Sequence, residues 1–161
     1  MANAVDRILI TEDITLITMI GITGELSAIA SLFCEIAAAG VNVDMISQSP
    51  PMGGAINLHF TIGDGDLGTV LSLLGRNKAR FPAKRLEVTS GNVKLNFFGE
   101  SMRTSEGVAG AVFDKLAALG VTLKLVTTSE TDISALTGDI DLSVAKSAFQ
   151  SDFEISPEFV S

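Results

Sequence analysis

The stretch Ile36-Ala37-Ala38-Ala39-Gly40-Val41 returns later in the chain as Leu116-Ala117-Ala118-Leu119-Gly120-Val121, with the two glycines 80 residues apart. Three further matches flank it: Gly21 with Gly99 at a spacing of 78, Ser49 with Ser129 at 80, and Gly63-Asp64 with Gly138-Asp139 at 75. The spacing changes only where connecting loops are expected, as in tandem repeats of one structural unit. The chain is therefore interpreted as two copies of a unit of roughly 75–80 residues.

The first copy shows the hydrophobic periods of strands and helices in alternation. Apolar residues alternate along 14–20 and 58–62, which predicts strands there, and two further strands are assigned to 41–48 and 85–89. Leu26, Phe33 and Ile36 share one face at helical spacing, and Gly40 follows as a helix-ending residue. A second helix is predicted from the capping residue Asp66 to Leu74. The first copy therefore reads strand, helix, strand, strand, helix, strand.

The second copy repeats this order. Strands are predicted over 93–98, 121–127 and 133–137, with a weak last strand around 153–155. One helix is predicted over 108–116, and another is capped by Asp141 and runs to Phe149. This is the βαββαβ order of the ferredoxin-like fold. We expect an α+β protein of two such modules, 12–90 and 91–156, with antiparallel sheets and helices on one face. The spare strand 5–10 is expected to join the second sheet.

Composition narrows the class of protein. The 161 residues carry a net charge of −8, which disfavours nucleic acid as a partner because like charges repel. A basic cluster, Arg76 to Arg85, is interpreted as a solvated loop. No apolar run reaches the roughly 18 residues of a membrane span, and the first residues lack the pattern of a signal peptide. A cytoplasmic protein without membrane contact is the default expectation.

Motifs that could support catalysis were tested against simpler explanations. Gly63-Asp64-Gly65-Asp66-Leu67-Gly68 matches the dinucleotide-binding pattern, but its two carboxylates would repel a pyrophosphate, so a turn with a helix cap is preferred. Cys34 and His59 are too few for a structural zinc site. Cys34 is expected to be a small buried hydrophobe, and His59 a structural or surface residue. We expect no enzyme, no metal and no cofactor.

Two segments resemble a known family. Gly40-Val41-Asn42-Val43-Asp44-Met45-Ile46-Ser47-Gln48-Ser49 looks like the second strand of an aspartokinase ACT module. Met102-Arg103-Thr104-Ser105-Glu106-Gly107-Val108-Ala109, followed by Val126-Thr127-Thr128-Ser129-Glu130, is similar to the last ACT module of those kinases. The resemblance covers roughly residues 5–155. The family's kinase domain, with its Lys-Phe-Gly-Gly-type segment, is absent, so the chain resembles a separate regulatory subunit or a regulatory fragment of a longer kinase.

The resemblance implies a function. In this family lysine or threonine binds between paired ACT modules and inhibits the kinase, so feedback control of aspartate-family amino-acid biosynthesis is expected. It also implies a homodimer through ACT sheets, or two modules of one chain paired in that manner, and an aspartokinase catalytic domain as partner. Two alternatives stay open: a degenerate ACT pair that serves oligomerisation or docking without a ligand, and a sensor of another small molecule.

An amino acid needs acceptors for its ammonium and donors for its carboxylate, and backbone N–H groups at a helix start supply donors. The resemblance and this requirement give the candidate effector-binding residues Thr23, Gly24, Leu26, Ser27, Ala28, Asn42, Val43, Asp44, Gln48, Met102, Ser105, Gly107, Val108, Thr122, Ser129 and Glu130. Asp44 and Gln48 are expected to take the ammonium. The first loop departs from the family's Asp-x-Pro-Gly, and Lys124 replaces Asp44 in the second copy. We therefore expect the Asp44 side to dominate binding.

Overall fold

Within the described residues, seven strands and four α-helices follow one another in the order that the two-copy pattern predicts. The computed structural model describes residues 4–160. The strands are β1 (Arg7–Thr23), β2 (Ile46–Gln48), β3 (Ala55–Gly63), β4 (Arg85–Phe98), β5 (Leu123–Thr128), β6 (Asp132–Thr137) and β7 (Glu158–Val160). The α-helices are α1 (Leu26–Ala38), α2 (Leu67–Arg76), α3 (Val108–Ala118) and α4 (Leu142–Phe153). The chain is α+β as expected, with antiparallel pairing of β1 with β3, β2 with β3, β4 with β6 and β5 with β6.

The described residues form two compact units, 13–91 and 4–12 together with 92–160. Strands β1 and β4 each contribute one segment to either unit. We call residues 13–91 the first unit and the remainder the second unit. The module limits 12–90 and 91–156 stay predictions of the sequence.

The first unit has the strand order of a ferredoxin-like sheet. β3 lies between β2 and β1, with Ile46 opposite Phe60 and Thr18 opposite His59. The Lys84 N–H donates to the Ile20 carbonyl at 2.8 Å, where the chain enters β4. The buried core joins this sheet to α1 and α2 through Ile17, Met19, Leu32, Ile36, Leu58, Phe60, Val70 and Leu73.

In the second unit, the residues at the start of the chain take the place of the fourth strand. β6 lies between β5 and β4, with Val126 and Phe97 opposite Ala135 and Ile133 of β6, respectively. The Asp6 N–H donates to the Phe98 carbonyl at 2.7 Å. Its core packs α3 and α4 on the sheet through Ile8, Ile10, Leu95, Phe97, Val112, Leu116, Ile133, Phe149 and Phe153.

Several local predictions were wrong. The last strand does not lie at 153–155, because α4 extends to Phe153 and the strand comes later, at β7, which pairs parallel to β1. Only Ile46–Gln48 of the predicted strand 41–48 joins the ladder. The predicted strands 85–89 and 93–98 are one strand, β4, because the residues between them continue the extended backbone.

Side-chain environments also differ from expectation at three positions. Leu26 is 77% exposed, because it is the first residue of α1 and points away from the core that Leu32 and Ile36 reach. Cys34 is exposed rather than buried. Asp66 makes no capping bond, since residues 64–66 form a 3-10 turn before α2. Asp141 does cap α4, accepting from the N–H groups of Ser143 and Val144.

No helix within residues 4–160 is long and apolar enough to cross a membrane. The described residues also contain no group of three or more His, Cys, Asp or Glu side chains placed to hold a metal ion.

Candidate functional site

An open cleft of about 470 Å³ lies in the second unit, where the β4–α3 loop faces the β5–β6 turn. This cleft, which we call the loop–turn cleft, is lined by Met102, Arg103, Ser105, Gly107, Val108, Ala109, Thr128, Ser129, Glu130 and Ile133. Its volume lies in the range of about 300–1,000 Å³ that is common for small-ligand sites. Six of the sixteen candidate residues from the sequence therefore meet in one place.

The loop that forms one wall owes its shape to two glycines. A short 3-10 turn, Glu100–Thr104, follows Gly99, whose N–H donates to the Thr131 carbonyl at 2.9 Å. Gly107 then adopts a left-handed φ of 78°, a conformation that glycine reaches without the strain of a Cβ atom. This turns the chain into α3 directly at the cleft.

Donors converge on the cleft from the start of α3. The first N–H groups of an α-helix have no intrahelical acceptor, which at α3 applies to Val108, Ala109 and Gly110. The first intrahelical bond in this turn runs from the Ala111 N–H to the Gly107 carbonyl at 3.1 Å. The helix dipole adds partial positive charge at the same place. This wall of the cleft therefore favours an anionic group.

One ion pair spans the rim of the cleft. Arg103 Nη1 lies 3.1 Å from Glu130 Oε2, and Arg103 Nε lies 3.8 Å from Glu100 Oε2. The side chains of Arg103 and Glu130 are 57% and 77% exposed, so water screens the pair and it holds little energy, about 0–1 kcal/mol. A ligand that carries both charges can therefore replace it at low cost.

The opposite wall is a tight and well-bonded turn. The Ser129 N–H donates to the Asp132 carbonyl at 2.9 Å, and the Ser129 hydroxyl accepts from the N–H groups of Thr131 and Asp132 at 3.2 and 3.1 Å. These bonds hold Glu130 at the tip of the turn. The buried side chains of Val108 and Ile133 form the apolar floor.

The corresponding place in the first unit is closed. Here the β2–β3 turn is longer, with Met52 bridged to Ala55, and the Gly24 N–H donates to the Gly54 carbonyl at 2.9 Å. The Glu25 N–H is bonded to the Thr23 hydroxyl, and the Ala28 N–H to the Glu25 carbonyl. Most donors of the first loop are thus already used. A cavity of about 10 Å³, lined in part by Thr23 and Ala28, lies beside it.

The remaining candidate residues lie elsewhere in their units. The Asp44 N–H bonds the Thr61 carbonyl, whereas Thr23 lies opposite Ala55, six residues away along β3. At about 3.3 Å per residue that separation is roughly 20 Å. The first unit therefore does not bring Asp44 to the loop of residues 24–28. Asn42 and Gln48 are exposed, Val43 is half-buried, and Gln48 pairs with Leu58.

Thr122 and Lys124 lie at the other end of β5 from the loop–turn cleft. The Thr122 carbonyl accepts from the Gly138 N–H at 3.4 Å, and Lys124 Nζ donates to the buried Asn92 Oδ1 at 2.6 Å. Lys124 thus has a structural partner.

Sequence reasoning named the motif around the cleft but left four lining residues out of the candidate set: Arg103, Ala109, Thr128 and Ile133. Arg103, Ala109 and Thr128 lie inside the two segments that carry the family resemblance, so their positions were available as a signal. Ile133 was assigned only to the strand 133–137, because an apolar residue in a strand is most simply explained as part of the core.

Comparison with known proteins places these features in a family context. Residues 95–153, which include both walls of the cleft, match the model of the ACT domain. The chain is 31% identical over 145 residues to an aspartokinase of Bacillus sp. (strain MGA3), a match that covers 90% of this chain and 35% of that protein. The chain thus spans between 30% and 38% of the length of the first three curated relatives.

Solved structures show the same fold. The regulatory subunit of aspartate kinase from Thermus thermophilus, in its ligand-free form, superposes with a TM-score of 0.82 at 24% identity, covering 93% of this chain and 99% of that one. A chain from the crystal structure of aspartokinase alpha and beta subunits gives a TM-score of 0.82 at 25% identity, covering 94% and 99%. Both neighbours are matched along almost their whole length.

Proposed function

Since the chain carries an ACT domain and resembles the regulatory part of aspartokinases over 90% of its length, we propose that it is a non-catalytic, cytoplasmic module that senses a free amino acid for an aspartokinase. Lysine and threonine are the effectors proposed, and feedback control of aspartate-family amino-acid biosynthesis is the proposed role. The observation that carries the proposal is the loop–turn cleft, which offers both charges that a zwitterion needs.

The cleft suggests how an amino acid would be oriented. Its carboxylate would lie against Arg103 and the free N–H groups at the start of α3, where the helix dipole also favours negative charge. Its ammonium would lie against the Glu130 carboxylate. The ligand would thereby exchange the exposed Arg103–Glu130 pair for two ion pairs of the same exposed side chains, each contributing up to about 1 kcal/mol, together with the bonds from the helix N–H groups. The side chain would rest on Val108 and Ile133.

Thermal shift with the twenty amino acids, each at 10 mM as a working choice, tests the proposal. We expect lysine or threonine to raise the Tm of the chain, because a ligand that binds only the folded state stabilises it. Cadaverine and acetate serve as controls, since each carries only one of the two kinds of charge. No shift with any amino acid would contradict the proposal.

The module is proposed to lack catalysis of its own. Its curated relatives are about three times as long as the matched segment, and the Thermus thermophilus neighbour is an isolated regulatory subunit. The purified chain should therefore show no aspartate-dependent ADP release, in an assay where a full-length aspartokinase serves as positive control. Turnover above the rate of a blank would contradict this.

A second candidate function is supported by the first unit. Leu26 and Met52, at the closed end of that unit, are large apolar side chains that are 77% and 82% exposed. These side chains favour docking of a partner: a second copy of the chain, in a homodimer, or an aspartokinase catalytic domain. Sedimentation of wild type and Leu26→Gln/Met52→Gln tests this. A strict monomer that also fails to bind the catalytic domain would contradict it.

A further inference from the structure

A second cleft, of about 410 Å³, lies in the first unit between α2 and the segment that leads into β4. We call it the α2 cleft. It shares no residue with the loop–turn cleft, and the proposed function does not use it. Its size is within the range of small-ligand sites.

The walls of the α2 cleft are apolar. Met19 and Leu74 form its buried part, being 1% and 6% exposed, and Phe81 packs beside them. Leu71 and Leu86 stand at the mouth and are 38% and 40% exposed. Two large aliphatic side chains left in water at the opening of an apolar cleft would be covered by an apolar ligand, at a gain of about 25 cal/mol per Å².

A glycine in the last turn of α2 opens one wall. Gly75 lines the cleft, and a Cβ atom built on it would meet nothing within 4 Å. Glycine inside a helix costs about 1 kcal/mol relative to alanine, and Gly75 does not serve as the C-cap, which is Asn77. The missing side chain leaves the helix backbone open to a molecule in the cleft.

One exposed cation lies beside the apolar walls. The basic cluster that the sequence analysis assigned to a solvated loop has paired members: Arg80 contacts Glu35, and Arg85 lies 2.7 Å from Glu87. Lys78 is the cluster member that lines the cleft; its side chain is exposed and makes no ion pair or hydrogen bond within residues 4–160. No carboxylate lines the cleft.

We propose that the α2 cleft binds a small monocarboxylate with an apolar body, its carboxylate at Lys78 and its body between Leu71, Leu74 and Leu86. A free amino acid is disfavoured here, because its ammonium would meet Lys78 and find no acidic partner. The α2 cleft and the loop–turn cleft therefore select different classes of small molecule.

The test uses the full 161-residue chain and three eight-carbon probes: octanoate, 1-octanol and octylamine. Methyl NMR shifts of Met19, Leu71, Leu74 and Leu86 report where each probe binds. Octanoate should bind most tightly, the neutral alcohol less tightly and the amine least. Equal or tighter binding of octylamine, or shifts confined to other methyl groups, would overturn the proposal.

Three variants measure separately how much the carboxylate and the apolar body of octanoate contribute to binding. Lys78→Gln should weaken octanoate by about threefold to fivefold, as one exposed ion pair allows, and leave octanol unchanged. Arg76→Gln, two residues away and outside the cleft, removes the same charge and should leave both affinities within about twofold. Gly75→Leu should fill the cleft and abolish binding of both probes while the Tm is kept or raised.

A second copy of the chain is the main competing occupant. Sedimentation of wild type and Leu86→Glu distinguishes it from a small molecule. If wild type is a dimer that Leu86→Glu dissociates, and octanoate fails to shift the cleft methyl groups of the dimer, the cleft is a protein interface and the proposal is wrong. Octanoate binding that is independent of protein concentration supports it.

Discussion

The two units start from one repeated pattern but use its aspartates differently. In the first unit Asp64 accepts from the buried Thr15 hydroxyl at 2.6 Å and the Gly91 N–H at 3.0 Å, while Asp66 caps nothing. At the matching positions of the second unit, Asp139 is exposed and Asp141 caps α4. In the first unit, therefore, the first aspartate of the pair makes the structural bonds, and in the second unit the second aspartate does.

The units also differ where a ligand could enter. The longer β2–β3 turn of the first unit reaches the loop at Gly24, whereas the three residues between β5 and β6 leave the loop–turn cleft open. The two units therefore share one fold, but the space between the loop and the turn is closed in the first unit and open in the second. The comparison indicates that turn length, rather than the strand residue at Asp44 or Lys124, decides whether the space between this turn and the loop before the first helix of each unit is open.

The largest expected effect on stability is at Gly99, which matches Gly21 in the first unit. A Cβ atom at Gly99 would overlap the backbone carbonyl of Ala4, whereas one at Gly21 would meet the flexible side chain of Lys84. We expect Gly99→Ala to lower the free energy of unfolding by about 3 kcal/mol or more. Gly21→Ala should cost about 1–2 kcal/mol, mainly through its left-handed φ of 69°. Urea denaturation measures both, and equal costs would contradict the comparison.

Asp64 and Asp139 provide the next test. Asp64→Ala would remove one partner of the buried Thr15 hydroxyl, which keeps Ser90, and would leave the Gly91 N–H without its acceptor. We expect a loss of about 1–3 kcal/mol in the free energy of unfolding. Asp139→Ala is the matched control and should change it by less than about 0.5 kcal/mol. A larger loss for Asp139→Ala would mean that the two aspartates do not differ as described.

The smallest effect is expected at the helix caps. The Ser143 side chain and the N–H groups of Val144 and Ser143 donate to Asp141 and hold its pKa below the ordinary value. Because the folded pKa is depressed, this stabilisation is present above the unfolded pKa and disappears as pH falls through the folded pKa. Asp141→Ala should lower the Tm at pH 7 more than Asp66→Ala, and the difference should shrink in acid, where the neutral carboxyl is a weaker acceptor. A difference as large at low pH as at pH 7 would argue against the charged cap.

Much of the fold could be predicted because periodicity reports which face of an element is buried. The repeat at Gly40 and Gly120 predicted both modules, and Asp141 was correctly identified as a cap. Asp66 was not, because an N-cap residue needs extended backbone, and the 3-10 turn gives Asp66 a helical ψ of −6°. A single-residue signal cannot report that backbone difference.

The candidate site could be predicted only in part, for a geometric reason. Residues close in sequence, such as Met102 and Gly107, or Ser129 and Glu130, stay together in any fold that keeps the loop and the turn. Whether Asp44 lies near the loop of residues 24–28 depends on the register of β3. Asp44 bonds Thr61 of that strand, whereas Thr23, just before the loop, lies opposite Ala55, six residues away. The rim pair of Arg103 and Glu130 likewise joins two segments 27 residues apart.

The central claim is that amino-acid binding depends on the loop–turn cleft. Calorimetric titration of lysine and threonine into wild type, Glu130→Gln and Asp44→Ala tests it most directly, with Lys124→Asp as a further control. We predict that Glu130→Gln weakens binding by about threefold to fivefold, since an exposed ion pair contributes up to about 1 kcal/mol. Asp44→Ala and Lys124→Asp should leave the affinity within about twofold. Binding that survives Glu130→Gln and is lost in Asp44→Ala would contradict the account and place the site in the first unit.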